Sequence, residues 1–443
     1  MVKEKKEDAK KEEKPIEELI PTEEDLRILK SRDFFNMLTK EISKKVVGEE
    51  ETIKTILLIC LGGMLTRNAE PTSTNLMVND ESGAGKDYIV KKILELLPEN
   101  KVEIRKRITE KVFTYWHNAK FEPDWSWDGK VFYNEDISNS ILNSDVFKVM
   151  SSSDGLNKST VIIKQSPIDI ITKGKPVMVI TIASANPKQE LLRRYPMINM
   201  DTSEAQTKAI LKRKAEIHSK GAKPVYSAKI IKALMHLKRV KVKVPFSSLL
   251  VNVLSTKNII IRTHFDRFID YMKFSAAIHQ FQREEDEEEY VVVDMEDYEY
   301  GRLAILKTMS NVFSVPLTKT QQNILKIMEQ LTSNSSLSVM EIEPNITFIS
   351  DRQLRRELDK LVSYGFLVKN LEYRGETGRQ ILTYKYAPSD LIIVPVWDEL
   401  TKLSNLSNVT ELKGAFDSCD KIVHEMSKYK EKIEEEEIDE NDA

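Results

Sequence analysis

Three kinds of hydrophobic pattern follow one another along this chain. Up to about residue 200, short apolar runs alternate with stretches of helical period. From there to about 313 the period is helical, and beyond 318 two amphipathic segments lead into a pair of alternating runs. The short runs are NLMV (75–78), VFYN (131–134) and VMVITIASANP (177–187), each ending in polar residues. The last is a near-continuous β-rich run, the pattern of a strand covered on both faces of a parallel sheet. Between them, PTEEDLRIL carries Thr22 as a helix cap, and VVGEEETIKTILLICLGGM reads as a helix that follows Gly48 and ends at Gly62-Gly63. DYIVKKILELL is a third, amphipathic helix, and TVIIKQ (160–165) and IDIITKGK (168–175), flanking Pro167, read as a hairpin. Strands alternating with helices predict an α/β fold with a parallel sheet and its chemistry at the carboxyl ends of the strands.

This pattern divides the chain. Residues 1–14 form a mixed-charge, disordered tail with nothing apolar to bury. Residues 15–203 carry the α/β core, and 204–316 a helical subdomain containing IIIRTHFDRFIDYMKFSAAIHQFQR, interrupted by the acidic loop EEDEEE (284–289). In 317–388, TKTQQNILKIMEQL and SDRQLRRELDKLVSYGFL, capped by Ser350, precede LEYR and QILTYKYA, paired about Gly375-Glu376-Thr377-Gly378. Helices followed by such a hairpin predict a winged helix-turn-helix. Residues 389–443 supply a helical segment and an acidic tail ending EEEEIDENDA.

Composition narrows the function classes. In 443 residues, Lys+Arg 67 against Asp+Glu 70 leaves a net charge of −3, so any nucleic-acid contact must come from local basic surfaces. Cys60 and Cys419 are the two cysteines, in no ligand-like spacing, which fits a reducing cytosol rather than a disulfide scaffold or zinc site. The apolar runs are too short to span a bilayer, and VKEKKEDAKKEEK at the N-terminus has no apolar region of a secretory signal. A soluble, cytoplasmic protein without membrane contact is the expectation.

The chemistry centres on Glu81-Ser82-Gly83-Ala84-Gly85-Lys86-Asp87-Tyr88, set between an apolar strand and an amphipathic helix. Glycines let backbone N–H groups turn around phosphate oxygens, the helix N-terminus adds positive potential, and Lys86 reaches the terminal phosphates. The match to G-x-x-x-x-G-K-[ST] is imperfect: Asp80 stands at the first glycine and Asp87 at the magnesium-binding Ser/Thr. A glycine turn capping an ordinary helix is the competing reading. VFYN ends in Glu135-Asp136, a pair able to hold magnesium on one carboxylate and polarise an attacking water with the other. Turns also recruit acids freely. Asn186 closes the run at 177–187, where it can orient a water or simply start a turn. In ELLRRYP, Arg193 and Arg194 are candidates for a finger that completes a neighbour's site, and Arg262 for a phosphate sensor, with Arg267 a lesser one.

In this order and spacing, the residues resemble the AAA+ ATPase family, and most closely minichromosome-maintenance-type helicases, over roughly 40–313. The segments that carry the likeness are VVGEEETIKTILLICLGGM, NLMVNDESGAGKD, GKVFYNEDIS, the hairpin, ASANP, LLRRYP and IIIRTHFDRFIDYMKFSAAIHQ. The resemblance implies a homo-oligomeric ring, hexameric by expectation, with ATP and Mg2+ between subunits. Lys86, Glu135, Asp136 and Asn186 would come from one subunit, Arg193 or Arg194 from the next, and Arg262 from either. Asp87 and Glu135 would serve the metal. Asp87 in place of Ser/Thr, the inverted acid order and the lack of a recognisable N-terminal barrel depart from the pattern. The last of these points to a plasmid-, virus- or mobile-element-type relative in a prokaryotic setting.

Two surfaces suit DNA. Lys158, Lys164, Lys173 and Lys175 surround the hairpin, which in such a ring faces a central pore and can hold single-strand phosphates; a surface hairpin with solubilising lysines is the alternative. Arg352, Arg355, Arg356 and Lys360 share helical spacings on the presumed recognition helix, and Arg374 and Arg379 flank the wing. Trp116, Trp125 and Trp127 read as packing or loop anchors. The expectation is an ATP-driven DNA helicase or translocase acting in replication. The rival is an initiator or helicase loader that binds origin duplex and uses ATP as a conformational switch.

Overall fold

A computed structural model describes residues 20–80, 83–120, 122–152, 155–163, 166–183, 189–221, 224–253, 261–313, 319–332, 335–363, 367–374, 379–386 and Trp397. Its centre is a five-stranded sheet built from β1 (Asn75–Asn79), β2 (Val102–Arg105), β3 (Val131–Asn134), β6 (Val177–Ile182) and β7 (Met197–Ile198). A two-stranded hairpin, β4 (Leu156–Ile163) with β5 (Ser166–Lys173), is inserted ahead of β6. The sheet order is β2-β3-β6-β1-β7 and every pairing is parallel. The three apolar runs thus become the three central strands. The edge strands went unread in the sequence, β2 because four half-exposed residues carry little periodicity and β7 because it has only two.

Parallel strands need both faces covered. On one face, Phe113, Trp127, Phe132, Phe147, Met178 and Tyr195 form an aromatic-rich layer. Trp127 is fully buried and meets Phe113, Trp116 and Trp125 edge-on, so the tryptophans are packing residues. The other face is covered by α1 (Glu50–Leu57), its π-helical continuation Leu58–Gly62, and α2 (Lys86–Leu94). Over these lie α4 (Ile261–Ile278) and α5 (Met295–Phe313); α3 (Gln189–Arg194) joins β6 to β7. Phe268, Met272, Phe274 and Tyr298 belong to the same apolar cluster as Leu76, Val78 and Val179 of the sheet. The helical region beyond 204 therefore shares the core of the α/β layer.

The glycine pair does not end its helix. Gly62 and Gly63 keep right-handed backbone angles and the chain stays helical to Leu65. Their role is close approach: a Cβ on Gly62 would lie 2.3 Å from Cβ of Phe274 and 2.7 Å from its carbonyl oxygen. The hairpin also turns one step earlier than its sequence implies. Ile163 pairs with Ser166 and Ile162 with Pro167, so Pro167 sits within β5.

Residues 319–386 have an apolar core of their own, formed by α6 (Lys319–Leu331), α7 (Val339–Ile342) and α8 (Asp351–Ser363) against β10 (Leu337–Ser338), β11 (Leu367–Arg374) and β12 (Arg379–Tyr386), in sheet order β10-β12-β11. Here β8 (Lys241–Lys243) and β9 (Tyr290–Val292) are a parallel pair beside α4. Ile324, Met328, Leu354, Leu358 and Tyr384 fill that core, and Arg374 and Arg379 are antiparallel partners.

Gly62→Ala is expected to cost roughly 1–3 kcal/mol, because the backbone of Phe274 must retreat. Gly63→Ala, whose nearest neighbour is a flexible Val177 methyl at 3.1 Å, should cost less; urea denaturation of both variants checks the order.

Candidate functional site

The loop after β1 enters α2 through two glycines in the left-handed region, Gly83 (φ 93°) and Gly85 (φ 91°). A Cβ at either would meet nothing within 4 Å, so glycine is required there by backbone conformation and not by space. Gly85 caps α2 with no side-chain hydrogen bond, leaving the first-turn N–H groups directed into the loop. Lys86, the first residue of the helix, is 3% exposed, although a lysine is rarely so enclosed.

The sheet order decides what meets this loop. Because β6 lies between β1 and β3, the carboxyl ends of all three strands converge beside the N-terminus of α2. Asp87 accepts two hydrogen bonds on the same oxygen, Oδ1: from Thr181 Oγ1 on β6 at 2.6 Å and from the Tyr133 hydroxyl on β3 at 2.8 Å. Thr181 Oγ1 in turn accepts the backbone N–H of Asp136 at 3.0 Å. Since that amide occupies an acceptor position on Thr181, the threonine proton is free to point at Asp87, and the chain has one direction. Burial raises the Tyr133 pKa above the usual phenol range, with the neighbouring Asp87 and Glu135 charges adding to the rise, so its hydroxyl remains a donor.

The two acids after β3 diverge. Glu135 turns onto α2 and pairs with Lys91 at 2.7 Å, both partly buried. Asp136 has a left-handed backbone (φ 46°), is exposed, and lies 3.5 Å from the Lys86 ammonium. Lys86, Asp87, Glu135 and Asp136 are therefore brought close together. Thr181 and Tyr133 were missed; the signal for Thr181 is a lone hydroxyl in the otherwise apolar VMVITI. Tyr88, exposed on the outer side of α2, donates to the Lys45 carbonyl at 3.0 Å. Glu81, Ser82 and Asn186 lie outside the described residues.

Among the described residues no three His, Cys, Asp or Glu side chains converge on a common metal position. A magnesium ion here would draw on one or two carboxylates plus phosphate and water oxygens, its usual mode beside a nucleotide. The donor set fits: an Asp87 carboxylate with its second oxygen clear of these hydrogen bonds, and Asp136 exposed beside Lys86.

The other sequence candidates scatter. Arg194 is anchored by its guanidinium to the Lys148 carbonyl and Ser152 Oγ, whereas Arg193 is exposed. Arg267 is buried and donates to the Arg193 carbonyl at 3.0 Å, tying α4 to the last turn of α3; Arg262 is exposed on the first turn of α4. Lys158 pairs across the hairpin with Asp169 at 2.8 Å, and Lys164 lies outside the described residues. Lys173 and Lys175 are at the hairpin's base. Lys173 donates to the Pro123 carbonyl, and Lys175 to Thr74 Oγ1 (2.7 Å), Asn75 Oδ1 (2.8 Å) and the Pro176 carbonyl, while burial pushes its pKa down to about 7. Lys175 is thus at the amino ends of the strands, away from the loop. A cavity of about 950 Å³, lined by Met64, Leu65, Met235 and Phe281, is also at that end.

On α8, Arg355 pairs with Asp351 at 3.1 Å and Lys360 with Glu357 at 2.7 Å; Arg352 and Arg356 are exposed and have no carboxylate partner among the described residues. Arg374 and Arg379 face each other in register at the open end of β11 and β12.

Thr181→Val is expected to cost about 1–3 kcal/mol by leaving the Asp136 amide and Asp87 each short of a partner. Thr181→Ser should retain most of the stability, and urea denaturation of the pair separates the hydroxyl from the methyl.

Residues 19–237 match the family model described as the MTBMA_p00010 P-loop domain. No curated protein matches the chain. No described helix is long and apolar enough to cross a membrane.

Proposed function

From the premise that this chain carries a P-loop domain of the nucleotide-binding α/β class, we propose that it is an AAA+ ATPase that works on DNA as a helicase or translocase, assembled as a ring with ATP bound between subunits. The observation that carries the reading is the convergence of Lys86, Asp87 and Asp136 at adjacent strand ends, with β6 and its Thr181 between the phosphate-loop strand and the acid strand. An independent hairpin directly before β6 and a three-helix unit closed by β11 and β12 add to it; the latter has the element order of a winged helix.

In this reading Lys86 leaves Asp136 for the terminal phosphates when a nucleotide enters. Their contact, 3.5 Å with Asp136 exposed, is readily exchanged. Asp136 then orients a water for attack on the γ-phosphorus. The bond to the β–γ bridging oxygen breaks, ADP keeps that electron pair, and the water's proton passes by way of the carboxylate to solvent. A magnesium ion held by Asp87 would neutralise the charge that develops on the phosphates. Glu135, held by Lys91, braces the acid turn on α2. Arg193 is the better placed of the two arginines to reach a neighbouring subunit, since Arg194 is tied to Lys148.

The unit at 319–386 would take duplex DNA on α8. Arg352 and Arg356 are available for phosphate contact, and Arg355 can trade its exposed partner Asp351 for a phosphate, whereas Lys360 is held by the enclosed Glu357. One observation favours the rival, an initiator or loader that uses ATP as a switch: Lys173 and Lys175 are engaged at the base of the hairpin, which leaves less basic surface for gripping a strand.

Strand displacement on a forked duplex decides between them. Unwinding that requires ATP and is lost in Lys86→Ala supports the motor; tight duplex binding with slow hydrolysis and no displacement removes it. For the second surface, Arg352→Ala with Arg356→Ala should weaken duplex binding for all sequences alike. It should also lower the slope of log affinity against log salt by about 2, the loss of two phosphate contacts.

A further inference from the structure

In an ordinary phosphate loop the helix supplies a hydroxyl to magnesium and the neighbouring strand supplies a carboxylate. Here the helix supplies a carboxylate, Asp87, and two strand hydroxyls, Tyr133 and Thr181, donate to it. The acids after β3 remain in place, so the helix that must receive phosphates carries an added negative charge. Both hydroxyls reach Oδ1, and among the described residues no donor reaches Oδ2.

The charges around the loop sharpen the point. Asp87, Glu135 and Asp136 oppose Lys86 and Lys91, and Lys91 is already engaged by Glu135. Of these described residues, one lysine, Lys86, is left against two carboxylates, Asp87 and Asp136. A nucleoside triphosphate brings further negative charge into a site that is net negative before it arrives, and like charges a few ångströms apart in partly buried surroundings repel strongly. A divalent cation on the free oxygen of Asp87 reverses the sign of that interaction.

Resting on the nucleotide-binding reading of this loop, we propose that Asp87 is a direct ligand of the divalent cation through Oδ2, and that the nucleotide binds only as its metal complex. Tyr133 and Thr181 are positioning residues: they orient the carboxylate and keep its other oxygen occupied. The residue that looked like a defect in the motif is the metal-binding group.

The test is equilibrium binding of a fluorescent ADP analogue to the full chain, with Mg2+ and with EDTA, for the wild-type protein, Asp87→Asn and Asp87→Ser. Magnesium should strengthen wild-type binding by on the order of 100-fold or more, the scale of one strong charge reversal near the phosphates. Both variants, with the charge removed, should bind the analogue in EDTA more tightly than the wild type; the gain from Mg2+ should shrink to about tenfold or less in Asp87→Asn, while Asp87→Ser, which offers the ordinary hydroxyl ligand, should keep more of it. Asp87→Asn retains an acceptor for Tyr133 and Thr181, so a thermal midpoint near that of the wild type separates loss of charge from loss of fold. In a second readout, Mn2+ titrated into the wild type with ADP should lose its free-ion paramagnetic resonance signal at one equivalent, and in Asp87→Asn it should not. Wild-type binding that is equally tight in EDTA and in Mg2+ would overturn the inference while leaving the loop a nucleotide site. No binding under either condition would overturn the nucleotide reading itself, and this inference with it.

Discussion

One hydroxyl, Thr181 Oγ1, holds the candidate site together. It accepts the amide of Asp136 and donates to the carboxylate of Asp87, so β6 links the turn after β3 to the first turn of α2. The bond is enclosed, and in such surroundings a hydrogen bond to a charged group counts for more than it would in water. The position of that hydroxyl depends on the sheet order, because only a strand lying between β1 and β3 can reach both the phosphate-loop helix and the acid turn.

The acid pair has no symmetry of role once the sheet is built. Successive residues leave a strand end in different directions, and Glu135 is drawn onto α2 by Lys91 while Asp136 stays in the solvent-facing mouth beside Lys86. Asp136 therefore keeps a freedom of side-chain movement that Glu135 lacks. The left-handed backbone at Asp136 is a local strain, and it is supported by the Thr181 bond to its amide.

Apolar packing sets what the site rests on. The Gly62–Phe274 contact lets α4 lie close against the helix in front of β1, and the cluster continues from there through the sheet. The arginine link from α4 to the Arg193 carbonyl runs along the same contact, so the segment bearing Arg193 is braced by the helices beyond 204. The unit at 319–386 carries its own core, and of the two ion pairs within a turn of its α8, the exposed Arg355–Asp351 pair costs little to undo.

The local patterns were sufficient for the α/β class, the three central strands, the phosphate loop, the capped helices and the terminal hairpin. Each of these depends on residues within a few positions of one another, through a period of 2 or 3.6 or the conformational needs of glycine. Tertiary structure alone decided the rest. Thr181 and Tyr133 were unreadable because their partners are 94 and 46 residues distant and meet them only through the strand order. The glycine pair looked like a helix stop because its partner, Phe274, is on another helix. Lys175 looked like part of a basic hairpin because neutral acceptors on the first strand leave no mark in a count of charges. Asp87 belongs to both accounts: its departure from the phosphate-loop pattern was legible in one dimension, and the two hydroxyls that give the departure a purpose come from strands that only folding sets side by side.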